Sequence, residues 1–209
     1  MRVLPYGPAA VLLEVADAAE VTALHRWLLE RPWPSITAVV PAARTVLVEV
    51  DPGDRSALDT VRRGVADFVA GASPAGAPPA ATVEVPVVYD GEDLLWVAEH
   101  CGVSVEEVIR RHGAATYTAA FCGFSPGFAY LIGGDAALQV PRRERPRTRV
   151  PAGSLAIAGE FTAVYPAASP GGWRLIGRAL VDVWRVDREP PALIAPGDRV
   201  RFVRDGGPA

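Results

Sequence analysis

Three short segments hold the residue types that could do chemistry. Residues 121–131, FCGFSPGFAYL, interleave Phe121, Phe124, Phe128 and Tyr130 with Gly123, Pro126 and Gly127. Aromatic rings supply flat apolar walls and a phenol that hydrogen-bonds, while glycine lets backbone approach a ligand closely. The segment reads either as a pocket wall or as a tight turn between two strands whose rings fill a core. Residues 141–151, PRRERPRTRVP, carry five arginines and one glutamate. The prolines disfavour helix and keep the segment extended. Side chains two apart then share a face, so Arg143, Arg145, Arg147 and Arg149 point one way and Arg142 the other. Guanidinium forks grip carboxylate and phosphate, so the strip reads as an anion site or as a solvated loop that pairs with a partner. Residues 165–177, YPAASPGGWRLIG, place Ser169-Pro170-Gly171-Gly172 directly before Trp173. That is a turn by composition, with paired glycines able to expose a backbone N–H nest.

Side-chain acids and bases are scarce. His25 lies on an apolar helix face, and His100 and His112 end predicted helices, where imidazolium meets the helix dipole favourably. Only His112 is close in sequence to the aromatic segment, which makes it the candidate acid or base. No Ser-His-Asp order and no metal-ligand spacing is evident. Cys101 and Cys122 form neither a metal pair nor a disulfide framework.

Composition removes whole classes of function. All 21 basic residues among the 209 are arginine. Without lysine there is no P-loop lysine, no Schiff base and no residue to carry covalent biotin. The net charge of −3 argues against nucleic-acid binding. No apolar run reaches membrane-spanning length and no secretory start is evident, so a cytoplasmic location is expected.

The elements that must position these segments fall into two groups. Before residues 71–81, GASPAGAPPAA, which read as a linker, strands are predicted at 11–15, 36–40 and 45–50. Helices are predicted at 20–31, with Val21, Leu24, Leu28 and Leu29 on its apolar face, and at 55–70. Closed by a further strand at 82–89, this order points to a ferredoxin-like layer of helices on a sheet. Beyond the linker come short helices at 92–100 and 105–112, the second capped by Ser104. Short strands follow at 117–122, 154–158, 162–165, 175–178, 181–186 and 199–203, the texture of a barrel or sandwich.

Taken together, GFSPGFAYL (123–131), PRRERPRTRVPAGSLAIAG (141–159) and YPAASPGGWRLIGR (165–178) resemble the signature of one family. It is variously called allophanate hydrolase subunit 1, KipI-like, the B-type subunit of 5-oxoprolinase, or carboxyltransferase domain C and D. The similarity extends through VEVPVVY (83–89) and PPALIAPGDRVRF (190–202). It implies an α+β chain, with a ferredoxin-like N-terminal domain over 1–81 and a cyclophilin-like β-barrel over 82–209. It also implies a hydrolase component that opens 5-oxoproline to glutamate, with ATP used at the level of the complex. The implied partners are a homologous carboxyltransferase-like protein, the C-type component, and a LamB/YcsF-type protein, the A-type component. A KipI-like inhibitor of a histidine kinase, and a component related to urea carboxylase, are the alternative family roles. Carried onto this chain, the resemblance implies His112, Tyr130 and Arg147 as catalytic. It implies Gly123, Phe124, Pro126, Gly127, Arg142, Arg143, Ser154, Tyr165, Pro170, Gly171, Gly172 and Trp173 as contacts to a small carboxylate substrate.

Overall fold

The structure, a computed structural model, describes residues 1–54, 56–68 and 82–205. The chain divides into two compact units, Met1–Pro79 and Ala80–Ala209. The expected linker at 71–81 lies outside the described residues.

In the first unit, strands β1 (Arg2–Pro5) and β2 (Ala10–Glu14) lead into helix α1 (Ala18–Leu29). Strands β3 (Ile36–Pro41) and β4 (Thr45–Val50) then lead into helix α2 (Ala57–Gly64). Asp17 caps α1 by accepting the Glu20 N–H at 2.9 Å, and the Glu20 carboxylate accepts the Ala16 N–H just before the cap at 2.7 Å. Val21, Leu24 and Leu28 form the buried stripe, whereas Leu29 is 63% exposed. It lies about 100° around the helix from Leu28, off the stripe. The stripe packs on Val11, Leu13, Val46 and Val48, the alternate residues of β2 and β4.

The sheet order β1-β2-β4-β3 is antiparallel throughout. The ferredoxin-like reading expected a strand at 82–89 to complete this sheet. The edge beside β2 is instead held by the N-terminal strand β1, paired Arg2 to Glu14 through Pro5 to Val11. That placement frees the later strand for the second unit.

The second unit begins with that strand, β5 (Thr82–Val88), followed by α3 (Leu94–Cys101) and α4 (Val105–Ala114). Ser104 caps α4, accepting the Glu107 N–H at 3.2 Å. Next come β6 (Tyr117–Cys122), β7 (Ala129–Ile132), β8 (Arg147–Val150), β9 (Ser154–Ala158) and β10 (Phe161–Val164). The chain ends with β11 (Ser169–Gly171), β12 (Arg174–Ala179) and β13 (Arg199–Arg204). Seven of these close a barrel in the order β10-β7-β6-β13-β5-β12-β9, while β8 and β11 form a separate two-stranded ribbon. The β5–β13 pair is parallel and spans six residues in register.

Strand β9 explains how the ribbon is attached. All five of its residues are buried. Leu155 and Ile157 point into the barrel core, while Ala156 and Ala158 join an outer cluster with Phe128, Tyr165 and Trp173. Small alanines on the outer face leave room for the large rings to lie against the barrel wall. The strand expected at 181–186 does not form. Trp184 makes one isolated bridge to Ala192, and Arg188 donates to the carbonyls of Asp182, Val183, Pro190 and Pro191. The barrel closes without this stretch, and the guanidinium ties it into a loop. Among the described residues no helix is long and apolar enough to cross a membrane.

Candidate functional site

A cavity of about 100 Å³ opens where the three segments meet. Phe124, Phe128 and Tyr130 come from the β6–β7 hairpin, Arg142 from the chain before β8, and Tyr165, Pro170, Gly171, Gly172 and Trp173 from the approach to β11 and β12. The rings brace one another edge-on. Phe128 meets Tyr165 at 5.2 Å and Trp173 at 5.6 Å, and Tyr130 meets Trp173 at 5.6 Å. Tyr130 also stacks on Phe121 at 4.3 Å. Edge-to-face contacts of this kind fix ring orientation as well as burying area.

The hairpin loop bears strain at the cavity. Gly123 N–H donates to Phe128 O, Ser125 N–H to Gly123 O, and Phe128 N–H to Ser125 O. The bond from Ser125 to Gly123 closes a three-residue turn around Phe124, whose φ is +69°. A bulky residue in that region costs about 1–3 kcal/mol. Phe124 nevertheless stays 62% exposed, with its ring over the cavity. Gly127, at φ +80°, adds no Cβ where Trp184 packs.

Gly171 is required by contact rather than by φ. A Cβ there would collide with the Tyr165 hydroxyl, so the buried tyrosine fills the space above the glycine. Burial raises the Tyr165 pKa, against the opposing pull of the Trp173 backbone N–H and the Arg142 charge. Burial also raises that of Tyr130, again opposed by Arg142. Both phenols therefore stay protonated at neutral pH and act as hydrogen-bonding groups, not as bases. Arg142 supplies the positive charge. Its guanidinium carbon lies 5.8 Å from the Trp173 ring centre, within cation–π range, and it has no carboxylate partner among the described residues. The cavity is thus an apolar ring-sized recess with one cation and two neutral phenols, suited to a small flat monoanion.

Arg143 and Arg147 do not reach it. Both turn to Asp93, a carboxylate 5% exposed at the start of α3. Arg143 Nη1 donates to Asp93 Oδ1 at 3.0 Å, and the Leu175 N–H donates to Oδ2 at 2.7 Å. Arg147 Nη1 stands 2.9 Å from Oδ2, a close ion pair. Arg147 also bridges Glu92 at 3.0 Å. Burial alone would raise the Asp93 pKa. The adjoining Arg147, the Leu175 N–H and the Arg143 charge outweigh it and hold the carboxyl below its ordinary value. Arg147, expected as a catalytic clamp, and Arg143, expected as a substrate contact, thus lie outside the recess lining, each paired with a carboxylate that only the fold brings near.

His112, expected as a catalytic acid or base, also lies away from the recess. It is 1% exposed and borders a separate void of about 20 Å³, room for no more than a water molecule. Thr162 donates its hydroxyl to Ala156 O at 3.1 Å, so it accepts the His112 Nε2–H at 3.0 Å. Nδ1 then accepts from the Tyr89 hydroxyl at 2.9 Å. The ring is a neutral, fully bonded pin between α4 and the barrel, and burial pushes its pKa down to about 3. Neither ring nitrogen faces the recess.

Ser154 is likewise committed, donating to Pro151 O at 2.8 Å. Gly123, Pro126 and Gly127 shape the hairpin loop without lining the recess. Of the expected contacts, the structure brings together Phe124, Tyr130, Arg142, Tyr165, Pro170, Gly171, Gly172 and Trp173. It adds Phe128, which the aromatic run itself displayed, and Asp93, which no local pattern marked. Among the described residues no cluster of three or more His, Cys, Asp or Glu could hold a metal ion.

Comparison with known proteins adds a family. The pattern defining the carboxyltransferase domain, subdomain C and D, matches residues 1–194. The chain is 38% identical over 204 residues to the B-type subunit of 5-oxoprolinase from Escherichia coli, covering 94% of this chain and 93% of that one. It is 37% identical over 196 residues to the B-type subunit of 5-oxoprolinase from Bacillus subtilis, covering 88% and 82%. Among solved structures, the crystal structure of TTHA0988 superposes with a TM-score of 0.79 at 38% identity and covers 96% of this chain. The chain spans only 40% of that longer polypeptide.

Proposed function

We propose a function from one premise: this chain belongs to the family of the carboxyltransferase domain, subdomain C and D. The function is that of the B-type subunit of a 5-oxoprolinase, a hydrolase complex that opens 5-oxoproline to glutamate. In this reading ATP is consumed by the complex, in the cytoplasm. A C-type component of carboxyltransferase kind and an A-type component of LamB/YcsF kind complete the assembly.

The observation that carries the reading is the recess in which Arg142 faces braced aromatic rings. 5-Oxoproline is a five-membered lactam bearing one carboxylate. Its ring fits an aromatic slot of this scale, and its carboxylate fits a single guanidinium. The protonated phenols of Tyr130 and Tyr165 are placed to donate to the lactam carbonyl, where negative charge develops as the amide is activated. The recess holds no nucleophile and no group that titrates near neutrality, which supports a division of labour. This chain binds and orients, and water activation comes from elsewhere in the complex. The chain matches only 40% of the TTHA0988 polypeptide, which accords with further protein completing the enzyme.

Reconstitution tests the proposal. The chain mixed with its A-type and C-type counterparts should release glutamate from 5-oxoproline with ATP, and the chain alone should not. Arg142→Gln should raise the KM for 5-oxoproline about ten-fold or more, the scale of one charge-assisted hydrogen bond, with the folded state unchanged. Full activity in that variant would remove the recess from the reaction.

A further inference from the structure

We infer that this chain carries a second anion site, distinct from the aromatic recess and built for phosphate. The same extended segment that sends Arg142 to Trp173 sends Arg143 and Arg145 to an open groove of about 420 Å³. Trp96 of α3 and Arg174 of β12 form its other side. The volume falls in the range of small-molecule sites.

Charge in the groove is not balanced. Three arginines line it against one glutamate, Glu144. The carboxylate behind it, Asp93, is already engaged by Arg143, Arg147 and the Leu175 N–H. Arg174 reaches Asp93 only at 3.8 Å, beyond hydrogen-bonding distance. Arg145 has no carboxylate partner among the described residues. Burial lowers the Arg174 pKa; the Asp93 charge pulls the other way, and the neighbouring Arg143 and Arg147 charges add to the lowering.

Geometry adds preorganisation. The Arg174 guanidinium lies 3.3 Å above the Trp96 ring, and Trp96 in turn stacks on His100 at 4.7 Å. The stack holds the fork plane fixed without consuming its N–H groups in carboxylate pairs. The held Arg174 fork, with the unpaired Arg145 beside it and the Arg143 charge behind, offers several cationic donors around an open space, which matches the three oxygens and multiple charges of a phosphate, whereas a carboxylate occupies one fork. The groove therefore takes a phosphate-bearing anion, either inorganic polyphosphate or the phosphate tail of a nucleotide. It adjoins the recess where the Arg143 N–H donates to Gly172 O at 2.7 Å. Its existence does not depend on what the recess binds.

Titration calorimetry on the full chain, at low ionic strength, tests the site with tripolyphosphate, ATP and the dicarboxylate glutarate. Tripolyphosphate should bind at least about ten-fold tighter than glutarate. Arg145→Gln and Arg174→Gln should each weaken it by about ten-fold, and Arg142→Gln should leave it unchanged. Equal affinity for ATP and tripolyphosphate marks a site for the phosphate chain alone, and tighter ATP marks a nucleotide site; either supports the proposal. Arg145 is exposed and pairs with no carboxylate among the described residues, so its variant remains informative should Arg174→Gln fail to fold. No binding of either phosphate compound at millimolar concentration overturns the inference. So does glutarate binding as tightly as tripolyphosphate, or affinity indifferent to Arg145→Gln.

Discussion

Arg142 and Arg143 are neighbours in the chain whose guanidinium groups serve different places: the first lies 5.8 Å from the Trp173 ring centre, the second 3.0 Å from Asp93 Oδ1. Extended backbone alternates its side chains, so one strip of arginines supplies both a recess and an ion cluster. Substitutions along it should separate cleanly into effects on binding and effects on stability.

Asp93 is the point where stability concentrates. Removing its charge leaves Arg143, Arg147 and Arg174 clustered without their shared carboxylate and weakens the bond to the Leu175 N–H. Asp93→Ala should cost about 3–5 kcal/mol, the range for breaking a buried ion pair, read as a lower urea midpoint with an unchanged slope. A loss below about 1 kcal/mol would mean that the cluster is not what holds the β8–β11 ribbon to the barrel.

His112 makes a pH signature. Its folded pKa of about 3 lies below the ordinary 6.5, so the unfolded chain takes up this proton first as the pH falls. The stabilising contribution is complete above about pH 6.5 and is lost progressively toward pH 3, at about 1.4 kcal/mol per pH unit. Urea unfolding at pH 7.0 and 5.0 should show this loss in the native chain, and His112→Gln should show a shallower fall. Parallel curves for the two proteins would place the acid sensitivity elsewhere.

Gly171 and Tyr165 should behave as a coupled pair. Gly171→Ala puts a methyl group against the Tyr165 hydroxyl, displacing the ring that walls the recess. It should weaken 5-oxoproline binding about ten-fold or more, and adding Tyr165→Phe should recover part of the loss, giving a coupling energy of about 1 kcal/mol in a double-mutant cycle. Independent, additive effects would contradict the packing.

Phe124 tests whether strain is kept for binding. Phe124→Gly relieves the positive φ at the cost of some backbone entropy. Thermal stability should therefore hold or rise while affinity for 5-oxoproline falls by about three- to ten-fold, through loss of an exposed ring. A drop in both would mean that the ring is a packing element.

Features set by near neighbours could be read along the chain. The helix start at Ser104, the apolar stripe of Val21, Leu24 and Leu28, and the alternation that divides Arg142 from Arg143 all follow from residues within one or two turns of each other. The aromatic run was legible as a wall, and eight expected contacts do meet at one recess, whereas Ser169–Gly171, expected as part of a turn, runs instead as strand β11 paired with β8. Tertiary structure alone decided the rest. Asp93 meets Arg143 across 50 residues and the Leu175 N–H across 82, and His112 meets Thr162 across 50. No local pattern marks such partners, so the arginines looked free and the histidine looked available. The same holds for the edge of the first sheet, which β1 occupies because pairing with β2 satisfies its backbone while β5 is drawn into the closed barrel. Propensity is written residue by residue, but whether a charge is spent or spare depends on which distant groups the fold delivers to it.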